Sequence, residues 1–198
     1  LSALFYKKIK EIMACDLTKG RALPCRESVG GLKAVYFVDF GDLGTVTLTA
    51  DEVTNMTGVS GALTAYRYEL KGTSSVEQTI NASRENGTVF YDQSVTLSLP
   101  QLSKEDNNEI KLIAYGRPHI FVEDYNGNVL LVGREYGADV TGGTIASGAA
   151  MGDMSGYTLT FNAMERTPAN FVEVDITEAK FPFSEMAGLT GTVTIEVS

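Results

Sequence analysis

The sequence predicts a mainly β fold with one α-helix and one long β-hairpin. Three observations carry this: short runs that alternate apolar and polar residues, two Asn–Gly dipeptides each set between such runs, and one segment of helical spacing behind a capping serine. Residues 31–40, GLKAVYFVDF, combine β-branched and aromatic side chains and stop at Gly41, as a strand does. Residues 44–51 alternate, with Val46 and Leu48 offset by threonines, so one face should be wet. Asp42–Leu43–Gly44 make a tight antiparallel connection between these two runs. Residues 53–62, VTNMTGVSGA, are small and polar and read as a loop. Residues 62–72 read as a strand of mixed faces.

Residues 73–100 read as the long hairpin. Val76, Ile80 and Ala82 mark one arm, and Val89, Tyr91, Val95, Leu97 and Leu99 mark the other. Asn86–Gly87 between them predicts a type I′ turn, in which both central residues take φ > 0. Ten residues of strand span about 33 Å, long for a small sheet, so the polar tip should stand clear of the core. Ser103 caps a helix over 103–114, with Asp106 at the capping-box position and Ile110, Ile113 and Ala114 as its stripe. A second hairpin crosses Asn126–Gly127 within 119–133. The glycine-rich stretch 137–156 reads as a flexible loop packed closely against a neighbour. Strands follow at 157–165, 171–177 and 190–197, with at most a helical turn in 181–189. That makes about nine strands in a single domain over 13–198, with no internal repeat and no linker.

Composition excludes several functions. The 198 residues carry 16 Lys and Arg against 25 Asp and Glu, a formal charge of −9 that repels a phosphate backbone. Sequence-reading nucleic-acid binding is therefore not expected. No run is long and apolar enough to span a membrane, and no membrane partner is expected. One His, two Cys and no Trp leave little for metal or nucleophile chemistry. Cys15 and Cys25 read as reduced thiols, because nothing resembles a secretory signal. His119 follows Pro118 at a strand start and no G-x-S-x-G elbow exists, so no catalytic residue is assigned and no cofactor is expected.

Two segments have two readings each. In residues 1–12, Leu1, Leu4, Phe5, Ile9 and Ile12 share a helical stripe with Lys7, Lys8 and Lys10 largely opposite. This extension is either a basic amphipathic arm that docks on a partner or a translated leader ahead of Met13. Asp124, Asn126, Asn128 and Glu135 fall at the first, third, fifth and twelfth places of a calcium loop. Val129 stands where that loop needs glycine, and a hairpin turn accounts for the same residues, so no metal is assigned.

What remains is mechanical. Threonine-rich alternating strands with little lysine are poor edge blockers, so such sheets are expected to be completed by other copies of the chain. The runs CRESVGGLKAVYF (25–37), YNGNVLLVGREYGA (125–138) and GDMSGYTLTFNAMERTPA (152–169) resemble structural proteins of tailed bacteriophages, in particular tail-tube-like proteins of phages of Bacteroides relatives. The similarity covers about residues 14–177 in layout and carries no catalytic residue. It implies a β-sandwich or barrel with one flanking helix and a long hairpin, assembled as hexameric rings stacked into a hollow tube. DNA would pass through non-specifically, the other partners would be phage tail proteins, and the protein would reside in the virion tail after assembly in the host bacterial cytoplasm. Tail hubs, terminators and neck connectors share that fold, and a host- or carbohydrate-binding β-sandwich module is the alternative of another class. The acidic balance suits a conduit whose wall repels DNA, with Asp51, Glu52, Glu69, Glu77 and Glu85 as candidates for the lumen and Asn86–Gly87 as the hairpin tip.

Overall fold

A computed structural model describes residues 19–23, 26–70, 72–175, 177 and 180–197. The cysteines and the segment 1–12 lie outside the described residues, as do the readings placed on them. The strands are β1 (Leu32–Val38), β2 (Val46–Thr49), β3 (Glu52–Met56), β4 (Leu63–Glu69), β5 (Ser75–Ser83), β6 (Thr88–Pro100), β7 (His119–Asp124), β8 (Val129–Val132), β9 (Asp139–Ala146), β10 (Gly156–Glu165), β11 (Asn170–Val172) and β12 (Val193–Val197), with helix α1 (Lys104–Tyr115) between β6 and β7. The fold is mainly β. An eight-stranded sheet runs β12-β4-β1-β7-β8-β11-β3-β2, and a four-stranded antiparallel sheet runs β5-β6-β10-β9.

Strand periodicity decides where the core sits. Along β1, Val35 and Phe37 point one way and Ala34, Tyr36 and Val38 the other, and both sets are buried. The first set, with Ile120 and Val122 of β7, meets Val95 and Leu97 of β6 and Leu159 and Phe161 of β10, while Ile110 of α1 closes the side. The second set belongs to a separate cluster with Phe121, Leu131, Val53 and Leu63, capped by Phe183, Met186 and Leu189. Burial on both faces is why residues 31–40 read as a nearly continuous apolar run.

All eight strands of the larger sheet supply residues to the second cluster or pack against it, so that sheet curls around it. The segment 57–62 links its two margins: Gly58 donates to the Leu43 carbonyl at 3.0 Å ahead of β2, and the Gly61 carbonyl accepts from Gly191 at 2.8 Å ahead of β12. Glycine is required in this seam. Gly58 has φ +60, and a Cβ there would lie 2.2 Å from the Ala62 carbonyl oxygen.

Several expectations need correction. Asp42–Leu43–Gly44 do not join β1 and β2 as an antiparallel pair, since β1 lies between β4 and β7 while β2 lies at the sheet's edge beside β3. Residues 53–62 do not all form a loop, because β3 takes 52–56. Register with β2 leaves Thr54 as an extra residue, and this bulge puts Val53 and Met56 into the same cluster at an odd spacing that hides the alternation. The stretch 137–156 is not wholly loop either, since β9 occupies 139–146 and carries its own bulge at Thr141. There Gly143 serves close approach: an added Cβ would meet the Thr158 carbonyl oxygen at 2.8 Å. The strand at 171–177 stops at Val172, and further on Asp175 bonds the amide and hydroxyl of Thr177 in a local turn. Residues 180–189 hold three successive i→i+3 turns and no helix, within the expectation of at most a helical turn. Asn86–Gly87 does not form a type I′ turn. Ser83 pairs with Thr88, leaving a four-residue connection in which Gly87 has φ +62 and Asn86 stays at negative φ.

The helix starts where its cap predicts: Ser103 Oγ accepts from the Asp106 amide at 2.9 Å, with Glu105 and Asp106 in the first turn.

Candidate assembly surface

The four-stranded sheet presents one face to the core and one away from it. On β6, Gln93, Val95 and Leu97 are buried while Ser94 and Thr96 point outward, and β10 repeats the pattern with Phe161 and Leu159 inward, Asn162, Thr160 and Thr158 outward. Register builds the outer face in rows. Glu77, Ser94, Asn162 and Asp139 stand side by side across the sheet, as do Ser75, Thr96, Thr160 and Gly142, then Thr79, Asp92 and Met164. Apart from Met164, the side chains of these rows are hydroxyls, amides and carboxylates. None of the four strands contains a lysine or arginine, although the chain has 16. Asp92 is anchored by the Asn162 amide at 2.6 Å.

The same sheet has two long margins. The outer edges of β5 and β9 have no strand partner among the described residues. Beyond the core, the hairpin of β5 and β6 keeps going: Ile80 and Val89 are 65% and 56% exposed on the face that lower down carries Val76 and Val95. An apolar face that runs past its own core is one a partner can cover.

The candidate carboxylates are scattered. Glu77 lies on the outer face just described, and Glu85 lies in the hairpin connection beyond it. Asp51 and Glu52 sit where β2 turns into β3, and Glu69 ends β4, bonded to Arg67 at 2.6 Å. The eight-stranded sheet carries these last three. Asp92 and Asp139 belong with Glu77 by register, and their place in strict alternation (Asp92 before Gln93, Asp139 before Val140) was the available signal.

Asp124, Asn126 and Asn128 come together, but as a hairpin turn. The Asp124 carboxylate accepts from the amides of Asn126 and Asn128 at 2.8 Å each and from their side chains at 3.2 and 2.9 Å. Burial pushes this carboxyl up, yet those donors outweigh it and hold it below the ordinary carboxylate value. Four N–H groups aimed at one carboxylate leave it poorly placed to serve a cation. The Asn126 side chain also exchanges two bonds with the Val29 backbone, 2.9 and 2.8 Å. Glu135 is not part of this turn: β8 separates them, and Glu135 pairs with Arg134 at 2.8 Å. Among the described residues no group of three His, Cys, Asp or Glu side chains is arranged for a metal.

Two buried carboxylates escaped the sequence reading. Glu123 bonds Lys33 Nζ at 2.5 Å and the Tyr36 hydroxyl at 3.1 Å, and burial together with Glu123 pushes Tyr36 to about 12. Glu165 ends β10 and accepts from the amides of Glu135 and Tyr136 at 2.9 Å each, while its Oε2 has no partner among the described residues. Burial raises its pKa over the opposing pull of those amides. His119 is buried, its ring nitrogens engaged by the Gly133 carbonyl and the Gly41 amide, and desolvation lowers its pKa. These groups order loops. Each contacts backbone or a partner side chain of its own fold.

In comparisons with known proteins, no family model matches the chain, and no curated protein or solved structure matches it.

Proposed function

We propose that this chain is a self-assembling structural protein whose copies join through the margins of the four-stranded sheet into a ring, with the polar outer face lining a channel. The observation that carries the reading is the pairing of two features in one sheet: two long unpaired edges and a face without a single cation. Four antiparallel strands give β5 and β9 opposite directions. Copies related by rotation about an axis along the strands therefore bring β9 of one against β5 of the next in antiparallel pairing, and the alternation continues through the seam. With carboxylates to repel phosphate and no lysine or arginine in its strands to attract it, the wall gives a duplex no electrostatic anchor, so the duplex slides without condensing on it. This agrees with the resemblance to tail-tube-like proteins of tailed phages, a β-sandwich or barrel assembled as stacked hexamers in the virion tail, and equally with hubs, terminators or connectors built on the same ring.

The carbohydrate-binding alternative calls for exposed aromatics gathered at one end. Tyr125 and Tyr136 are exposed but flank opposite ends of β8, whereas Phe40 and Tyr66 line one hollow beside α1, which is where such a ligand would bind.

Electron microscopy of the purified protein at rising concentration tests the proposal. Rings or tubes are expected; monomers at every concentration would refute it. Replacing Asp92, Ser94 and Thr160, which lie on the inner strands β6 and β10, by lysine is expected to leave the edges and assembly intact and make the particles retain duplex DNA at low salt. Particles that still release DNA at the parental rate would remove the channel from the reading.

A further inference from the structure

A groove unrelated to the four-stranded sheet runs between α1 and the β4–β12 margin. Its volume is about 520 Å³, and Tyr66, Tyr68 and Val197 floor it while Glu105, Glu109 and Glu196 stand along its walls. A second hollow of about 240 Å³ continues it past Tyr66 and Glu109 toward Phe40 and Leu112. Tyr66, Leu112 and Val197 are exposed there. The cations that reach the groove are engaged already: Arg67 with Glu69 and the Tyr36 hydroxyl, Arg117 over the Phe40 ring at 4.5 Å from its centroid. Around the Tyr66 hydroxyl the field is negative, since burial raises its pKa and Asp39, Glu109, Glu196 and Asp42 raise it further. An aromatic floor between acidic walls fits a segment that is apolar on one side and cationic on the other.

The chain contains one such segment. Residues 1–12 place Leu1, Leu4, Phe5, Ile9 and Ile12 on one helical stripe and Lys7, Lys8 and Lys10 largely opposite. We infer that residues 1–12 dock in this groove of their own chain, apolar stripe on Tyr66, Tyr68 and Val197, lysines against Glu105, Glu109 and Glu196. The connection is ample. Residues 13–31 lead into β1, which pairs directly with β4, and at about 3.3 Å per residue they span far more than the width of one strand. Tethering supplies a local concentration in the millimolar range, which favours the chain's own segment over a second copy's.

Zero-length carbodiimide coupling of the 198-residue chain, mapped by mass spectrometry, tests this. The coupling joins a lysine amine to a glutamate carboxyl as an amide, and the carbodiimide takes up the elements of water lost from them and leaves as the urea. Expected are links from Lys7, Lys8 or Lys10 to Glu105, Glu109 or Glu196, falling about tenfold at molar salt as screened charge pairs should. In the Glu105→Gln, Glu109→Gln, Glu196→Gln variant the three lysines should become more reactive to an amine label. Links to other acids alone, an unchanged amine reactivity in the variant, or links joining heavy-isotope and light-isotope chains in a mixture would each overturn docking in the same chain.

Discussion

The two sheets answer the same problem, what to do with a sheet's ends, in opposite ways. The eight-stranded sheet curls on a core of its own, its margins are short strands of four and five residues, and glycine-lined segments bridge the gap. It pairs both of its strand cations with carboxylates, Lys33 with Glu123 and Arg67 with Glu69. The four-stranded sheet is flanked by strands of eight and nine residues with nothing beside them among the described residues, and its carboxylates face no cation in its own strands. One sheet is finished by its own chain. The other is built as if something else will finish it, and that contrast is what a self-assembling subunit needs: a body that is stable alone and a margin that is not.

A lysine on each kind of margin tests the contrast most severely. Thr79→Lys on β5 should raise the concentration needed for assembly by at least about tenfold, roughly 1.4 kcal/mol per contact, because a charged edge resists pairing. Thr47→Lys on β2 should change it little, and both variants should keep the parental melting temperature. Sedimentation over a concentration series reads the difference, and equal effects at both edges would erase the distinction between them.

The two sheets should also respond to pH with opposite sign. Glu165, at the end of β10, has a raised pKa, so the folded state keeps a proton that the unfolded chain releases. Its contribution is present below the ordinary carboxylate value and is lost as pH rises through the raised one. Glu165→Gln should flatten that loss and melt higher than the parent at neutral pH. Asp124, on the β7–β8 turn, has a lowered pKa, so its contribution is present above the ordinary value and is lost as pH falls through the lowered one. Asp124→Asn should therefore be destabilised at neutral pH by about 0.5–1 kcal/mol after solvent screening, and indistinguishable from the parent in acid. Calorimetry from pH 3 to 8 separates the two signs.

The smallest effect concerns the two Asn–Gly turns, one per sheet. The Gly87 nitrogen can attack the Asn86 side-chain carbonyl carbon, expelling ammonia, because the turn is exposed and a Cβ at Gly87 would meet nothing within 4 Å. Asn126 has its amide tied to Val29 and Asp124. On storage at mildly alkaline pH, peptide mapping should find Asn86 converted to aspartate and isoaspartate while Asn126 persists. Equal conversion would mean the Val29 clamp does not hold in solution.

Much of this architecture was legible beforehand, and the two strands that were missed share a cause. The β1 run, both hairpins, the Ser103 cap and the β10 alternation all follow local rules of period and capping. The missed strands, β3 and β9, each carry a bulge, at Thr54 and Thr141, so their apolar residues fall out of step. Gly143 compounds the error: a residue that usually signals a loop is there for contact with β10. The acidic row was half visible, since Glu77 could be picked from its strand but its neighbours Ser94, Asn162 and Asp139 are set by register across four strands, which no single segment encodes. The Lys33–Glu123 pair spans 90 positions and was out of reach for the same reason.

The glycine seam also imposes a timetable. Phe183, Met186 and Leu189, which cap the second cluster, and β12, which completes β4, are made after every other strand of their sheet. A nascent chain that has already formed β1, β4 and β7 must wait on the ribosome with that cluster uncovered until residues 183–197 have been made. A chain stalled before that point would hence be missing its lid, leaving sticky apolar surface that quality control can recognise.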